Sequence, residues 1–162
     1  MKQLAVCFVC LGNICRSPIA EAIMLEQVRR AGLSAAIDVD SAGTGDWHVG
    51  DPPDPRAIKA AARRGYDLTA LLARQFEDSD FARFDLILAM DHQNLADLRK
   101  RCPPQHADKV RMLMGFGAAG AVQAVPDPYF GGVDGFETTL DLCEQACTGL
   151  MTALRERLDE AS

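Results

Sequence analysis

Eight residues near the N-terminus, Cys10-Leu11-Gly12-Asn13-Ile14-Cys15-Arg16-Ser17, place a nucleophile, a turn and a cation in one short stretch. They lie between a continuous apolar run, Leu4 to Val9, and an amphipathic segment opened by Ser17-Pro18, so the loop belongs where a buried strand gives way to a helix. A helix N-terminus offers amide N–H groups without intrahelical acceptors and the positive end of the helix dipole, which makes it an anion site. Successive amides of the preceding loop can converge on the same point. Gly12 permits unusual torsions there, and Asn13 tolerates the left-handed region better than most residues. Arg16 presents a planar fork suited to two phosphate oxygens, where lysine would offer only a point charge. In a cradle of amides beside that guanidinium, Cys10 should be a thiolate at neutral pH and attack phosphorus. Ser17 can donate to the thiolate or cap the helix, and the residue types leave both roles open. Cys-x5-Arg alone is weak evidence. Followed by Ser-Pro and set between strand and helix, it outweighs the plainer picture of an inert buried cysteine in a turn.

The elements that must hold this loop can be read from the hydrophobic pattern. Ile19, Ala22, Ile23, Met24 and Val28 recur on one face of a helix running toward Gly32. Ile37 to Asp40 is a second strand, and a Gly- and Pro-rich loop, Ser41 to Pro55, carries the sole tryptophan, Trp47. A helix is expected from Pro55 to Arg64, ended by Gly65, and a shorter one near Asp78. Leu86 to Met90 is a buried strand, Asp91 can cap the helix that carries Leu95 and Leu98, and a last strand lies at Val110 to Leu113. The final helix should run from Gly135 to Leu158, with Phe136, Leu140, Cys143, Cys147, Leu150 and Leu154 as its apolar stripe. Strands alternating with helices imply a three-layer α/β/α domain with its site outside the carboxyl ends of the strands.

The chain of 162 residues reads as one domain, 1–162, with 48% hydrophobic and 25% charged residues, an ordinary globular composition. Its net charge of −6 argues against nucleic acid or an anionic membrane as partner. Lys2 and the apolar run after it are short and lack a cleavage site, so a buried first strand is preferred over a signal peptide. No stretch approaches a membrane span. Six cysteines, three of them crowded at Cys7, Cys10 and Cys15, lack the spread of a disulfide framework and point to reduced thiols and a cytoplasmic location. Cys7-x2-Cys10 is half a zinc knuckle, but His48, His92 and His106 are scattered, so neither metal nor cofactor is expected.

In Cys10 to Pro18, in Asp38-Val39-Asp40-Ser41-Ala42-Gly43-Thr44 and in Asp127-Pro128-Tyr129, the chain resembles the low-molecular-weight protein tyrosine phosphatases over essentially its whole length. The resemblance implies a four-stranded parallel sheet flanked by helices, with the phosphate-binding loop after strand 1. It implies a protein tyrosine phosphatase that hydrolyses phosphotyrosine and other aryl phosphate monoesters through a cysteinyl-phosphate. Carried over by position, Cys10 is the nucleophile, Arg16 the phosphate clamp, Ser17 the thiolate's partner and Asp127 the general acid. The substrate would be bound by Leu11, Gly12, Asn13, Ile14, Cys15 and Ser17, with Trp47 and Tyr129 flanking the phenol ring. Asn13 would also hold the loop in shape, and Cys15 would form a reversible disulfide with Cys10 under peroxide. Partners would be phosphotyrosine proteins or small aryl phosphates, with inorganic phosphate as product and competitive inhibitor. Asp127 would otherwise be a turn residue before Pro128, and Asp91 a helix cap.

The sequence departs from the family pattern in two respects. Phe130 stands where many relatives have a second tyrosine, and Leu71 and Leu72 stand near where relatives often carry a histidine that buttresses the loop asparagine. Three rival functions share the cradle. Arsenate reductases need two further relay cysteines, and none lies between Asp78 and Asp91 while Cys102 stands alone. Protein-arginine phosphatases usually have threonine where Ile14 makes the wall apolar. A non-catalytic phosphate-binding module would not need both Cys10 and Asp127.

Overall fold

The N-terminal apolar run forms β1, Leu4–Cys10, buried from Val6 onward as a parallel strand covered on both faces must be. In this computed structural model residues 3–117, 123–130 and 133–161 are described, so Lys2 lies outside them, as does the side chain of Phe130. The other strands are β2 (Ile37–Gly43), β3 (Leu86–Ala89) and β4 (Val110–Met112). All pair in parallel in the order β2-β1-β3-β4. β2 runs three residues past the expected Asp40, because Ser41, Ala42 and Gly43 stay in register with Phe8, Val9 and Cys10.

This strand order makes β1 the switch point. The chain leaves β1 toward β2 on one side and reaches β3 on the other, so a crevice opens at the carboxyl ends of β1 and β3. The loop after Cys10 emerges into it.

Side chains alternate along β1 and feed two cores. Val6, Phe8 and Cys10 join Ile19 and Ile23 of α1 (Arg16–Arg30), Ala57, Ala60 and Ala61 of α2 (Pro55–Ala62), and Leu140 and Leu150 of α5 (Val133–Ala161). Cys7 and Val9 face the other way, toward Phe81 of α3 (Asp80–Arg83) and Leu95 and Leu98 of α4 (His92–Arg101). The three expected layers follow from this alternation. Cys143 and Cys147 are fully buried in the α5 stripe as small core residues, and all six cysteines are free.

Helix ends differ from expectation where the site intervenes. α1 begins at Arg16, ahead of Ser17, and its N-cap Cys15 makes no side-chain capping bond. Ser17 is therefore not a cap. α2 and α4 follow the capping rules: Asp54 accepts from the Arg56 amide before Pro55, and Asp91 forms a capping box with Asn94. α2 stops at Ala62, short of Arg64, and Gly65 at φ +86 turns the chain. α5 begins two residues before the expected Gly135. Among the described residues no helix is long and apolar enough to cross a membrane.

Leu88 is fully buried in the middle of β3. Leu88→Ala should cost about 2–5 kcal/mol in urea unfolding, with Tm falling by about 2–4 °C for each kcal/mol. A loss below about 1 kcal/mol would contradict a packed central strand.

Candidate active site

The loop after β1 is tied down through its carbonyls. Cys10, Leu11 and Ile14 turn their C=O groups outward to accept from the amides of Thr44 (2.9 Å), Gly45 (2.9 Å) and Asp54 (2.8 Å). With the carbonyls held outward, the loop amides turn inward. Among the described residues the N–H groups of Leu11, Gly12, Ile14 and Cys15 find no protein acceptor. Asn13 supplies the reversal at φ 58, the left-handed conformation expected of it. The Cys10 sulfur sits at the floor, accepting from the Asn13 amide at 3.3 Å and lying 3.0 Å from the Ser17 hydroxyl.

Arg16, in the first turn of α1, reaches over this floor with a buried side chain. One guanidinium nitrogen is fully committed, donating to Asp91 at 2.6 Å and to the Val125 carbonyl at 3.0 Å. The other has a longer pairing, 3.5 Å to Asp127. Burial works against the charge of Arg16, but the Cys10 sulfur, the hydrogen bond to Asp91 and the charge of Asp127 outweigh it and raise its pKa. Asp91 caps α4 through one carboxylate oxygen, as expected, and through the other it accepts from Arg16, a contact that the sequence did not announce. Asp127 accepts from the Tyr129 amide at 3.0 Å, which makes it a turn residue as well as a partner of Arg16.

A cavity of about 140 Å³ stands over the sulfur, lined by Cys10, Leu11, Gly12, Ile14, Cys15 and Arg16 at its base. Trp47, His48, Asp127 and Tyr129 form its rim. Trp47 is 69% exposed and Tyr129 42%, unlike packed aromatics. Arg56 lies over the Tyr129 ring at 5.4 Å and donates to its carbonyl at 3.1 Å. His48 was not expected here; its ring packs against Gly12 and approaches Asp51 at 3.4 Å. Its place beside Trp47 was the only signal.

Residues 5–160 match the family described as low molecular weight phosphotyrosine protein phosphatase. The chain belongs to this family. A relative from Streptomyces coelicolor, a low molecular weight protein-tyrosine-phosphatase, is 49% identical over 157 residues, covering 95% of each chain. The crystal structure of a protein tyrosine phosphatase from Entamoeba histolytica with Hepes in its active site superposes with a TM-score of 0.91 at 41% identity, covering 94% of this chain and 97% of that one. The YwlE arginine phosphatase, a Bacillus subtilis protein, gives a TM-score of 0.83 at 30% identity, covering 94% and 96%.

Within this family fold two of the expected binding residues stand behind the pocket and do not line it. Asn13 and Ser17 face away from the cavity, because their side chains bond to one another and to the rear wall. The Asn13 side-chain amide donates to Ser17 (2.8 Å) and to Ser41 (2.9 Å), and its carbonyl accepts from the Arg74 amide at 2.9 Å. Ser41 in turn donates to Glu21 at 2.6 Å. The buttress expected from a histidine is supplied here by Ser41, Glu21 and the Arg74 backbone; Leu71 is partly buried and Leu72 is exposed. Glu21 was legible as an acid on the apolar face of a helix, whereas Arg74 and Ser41 carried no local signal.

Glu21 is 8% exposed, and burial raises its pKa from 4.5 to about 7, with Asp40 and Asp38 adding to the rise and Ser41 and Arg74 opposing it. The folded state thus holds the Glu21 proton more tightly than the unfolded chain does. Its contribution to stability is fully present below the ordinary carboxylate range and is lost as pH rises toward about 7. From pH 4.5 to 8, unfolding experiments should show wild type losing up to about 3 kcal/mol relative to Glu21→Gln. Parallel stability curves for the two proteins would contradict a buried, proton-binding Glu21.

Proposed function

We propose that this protein is a protein tyrosine phosphatase that hydrolyses phosphotyrosine and other aryl phosphate monoesters, with Cys10 as nucleophile. The observation that carries this reading is the Cys10 sulfur, which accepts from the Asn13 amide in a loop whose neighbouring amides have no protein acceptor among the described residues, in one pocket with the Arg16 guanidinium. A phosphate dianion there replaces the longer Asp127 contact on Arg16, so the clamp keeps one acid, Asp91, and releases the other.

Released from Arg16, Asp127 lines the pocket where the ester oxygen departs. The sulfur attacks phosphorus, the S–P bond forms as the P–O(aryl) bond breaks, and Asp127 gives its proton to the phenolate oxygen. Water then attacks the cysteinyl-phosphate and yields its proton to the Asp127 carboxylate. The S–P bond breaks, restoring the thiolate and releasing inorganic phosphate, which fits the same cradle and so inhibits competitively. Ser17 receives a hydrogen bond from Asn13, leaving its own proton for the thiolate.

The apolar wall of Ile14 and the exposed rings of Trp47 and Tyr129 support an aromatic ester over phosphoarginine. The partners are phosphotyrosine proteins or small aryl phosphates rather than nucleic acid. Six free cysteines support a reducing, cytoplasmic setting. Cys15 also lines the pocket, and burial, reinforced by Asp54, pushes its thiol up, so it remains protonated while Cys10 reacts. Peroxide would oxidise Cys10 to the sulfenic acid, and Cys15 would displace water from it to form a reducible disulfide.

Cys10→Ser should abolish turnover of aryl phosphates, and Asp127→Asn should lower kcat by about 10²- to 10⁴-fold while inorganic phosphate still binds. Wild type should prefer phosphotyrosine to phosphoarginine and phosphoserine; an active Cys10→Ser, or a preference for phosphoarginine, would overturn the assignment. Dithiothreitol should restore activity to peroxide-treated wild type and fail to restore it in Cys15→Ala. Equal recovery in both would remove Cys15 from the redox scheme.

A further inference from the structure

Trp47 and Leu11 stand between two cavities. One is the catalytic pocket, and the other, of about 300 Å³, extends past Thr44 toward Lys100 and Arg101 of α4. An indole that is 69% exposed needs something to fix its direction if it is to serve as a wall. The restraint is Gly45. A Cβ built there would fall inside the indole, with Cε3 and Cζ3 nearer than any real contact and Cη2 at 2.7 Å. The ring therefore lies directly against the backbone of residue 45.

The φ torsion at this position does not call for glycine. Gly45 is absent from the glycines of positive φ, so its backbone conformation is open to alanine. The backbone itself is pinned, because the Gly45 amide donates to the Leu11 carbonyl at 2.9 Å, one of the bonds that hold the phosphate loop. A methyl group added at 45 meets a ring on one side and an anchored backbone on the other, and the exposed ring is what gives way.

We propose that Gly45 is a specificity-determining positioning residue: lacking a side chain, it seats the Trp47 indole against a backbone tied to the phosphate loop. The seated ring forms the wall shared by the catalytic pocket and its neighbour. The proposal rests on the aryl phosphate reading. It separates recognition of the phenol ring, which needs the seated indole, from recognition of phosphate, which does not.

Trp47 is the sole tryptophan, so its fluorescence reports the seating without reference to activity. In Gly45→Ala, acrylamide should quench Trp47 more strongly and its anisotropy should fall. KM for phosphotyrosine should rise about 3- to 10-fold, the loss of one aromatic contact. The inhibition constant of inorganic phosphate should rise less than KM, because alanine keeps the amide that holds the Leu11 carbonyl. In a Trp47→Ala background the alanine at 45 should have no further effect on KM. If Gly45→Ala unfolds, the double variant must recover the Tm of Trp47→Ala.

Unchanged quenching in Gly45→Ala, a KM rise that persists without Trp47, or a double variant that stays unfolded would each overturn the proposal. Wild type inactive on aryl phosphates would sink the phosphatase reading instead, and quenching would still decide where the indole sits.

Discussion

Everything at this site depends on loop amides being turned toward one point while their carbonyls are held away from it. A peptide unit has a donor and an acceptor at opposite ends, so a cradle of inward N–H groups requires outward C=O groups with partners of their own. Those partners come from the segment after β2: Thr44, Gly45 and Asp54 donate to Cys10, Leu11 and Ile14. Close approach is needed, and Gly43 allows it, since a Cβ there would stand 2.8 Å from the Leu11 carbonyl. The loop is thus held in part by the β2–α2 connection, which supports the site through backbone amides.

Charge is arranged around that cradle with the same economy. Arg16 sits between two carboxylates, and their unequal contacts divide the roles. Asp91 is fixed at 2.6 Å and also caps α4, so moving it would undo a helix start. Asp127 is at 3.5 Å on a turn, and among the described residues nothing comparable ties it down. The first carboxylate thus orients the guanidinium, and the longer, less anchored contact of the second is the one on which the proposed function relies.

The parts of this arrangement that follow from local pattern were legible in the sequence. The run Leu4 to Val9 is apolar at every position, which identifies a central strand, and Asp91 before an amphipathic segment identifies a cap. Cys10 to Ser17 lay between strand and helix, so its amides and Arg16 could be assigned without coordinates. What could not be read was pairing between distant residues. Ser41 bonding to Asn13 spans 28 positions and Arg74 to Asn13 spans 61, and neither leaves a mark on its own neighbours. Ser17 before proline matched a helix cap, yet the sulfur 3.0 Å away claimed its hydroxyl and the helix began two residues earlier. Local rules failed where tertiary hydrogen bonds set the outcome, and that is the active site.

Burial separates the two tasks of the site. Behind the sulfur, Asn13, Ser17, Ser41 and Glu21 are all buried, and their side chains are joined in one hydrogen-bonded chain that also reaches the Arg74 amide and the Cys10 sulfur. A change to any one leaves an unpaired polar group in the interior, so this half resists variation and holds the chemistry constant. In front, Leu11, Trp47 and Tyr129 are exposed, and substitutions there cost little in packing. Catalysis and recognition can therefore change independently. On the function proposed above, the phosphate would be read by the interior half and the rest of the substrate by the exposed half.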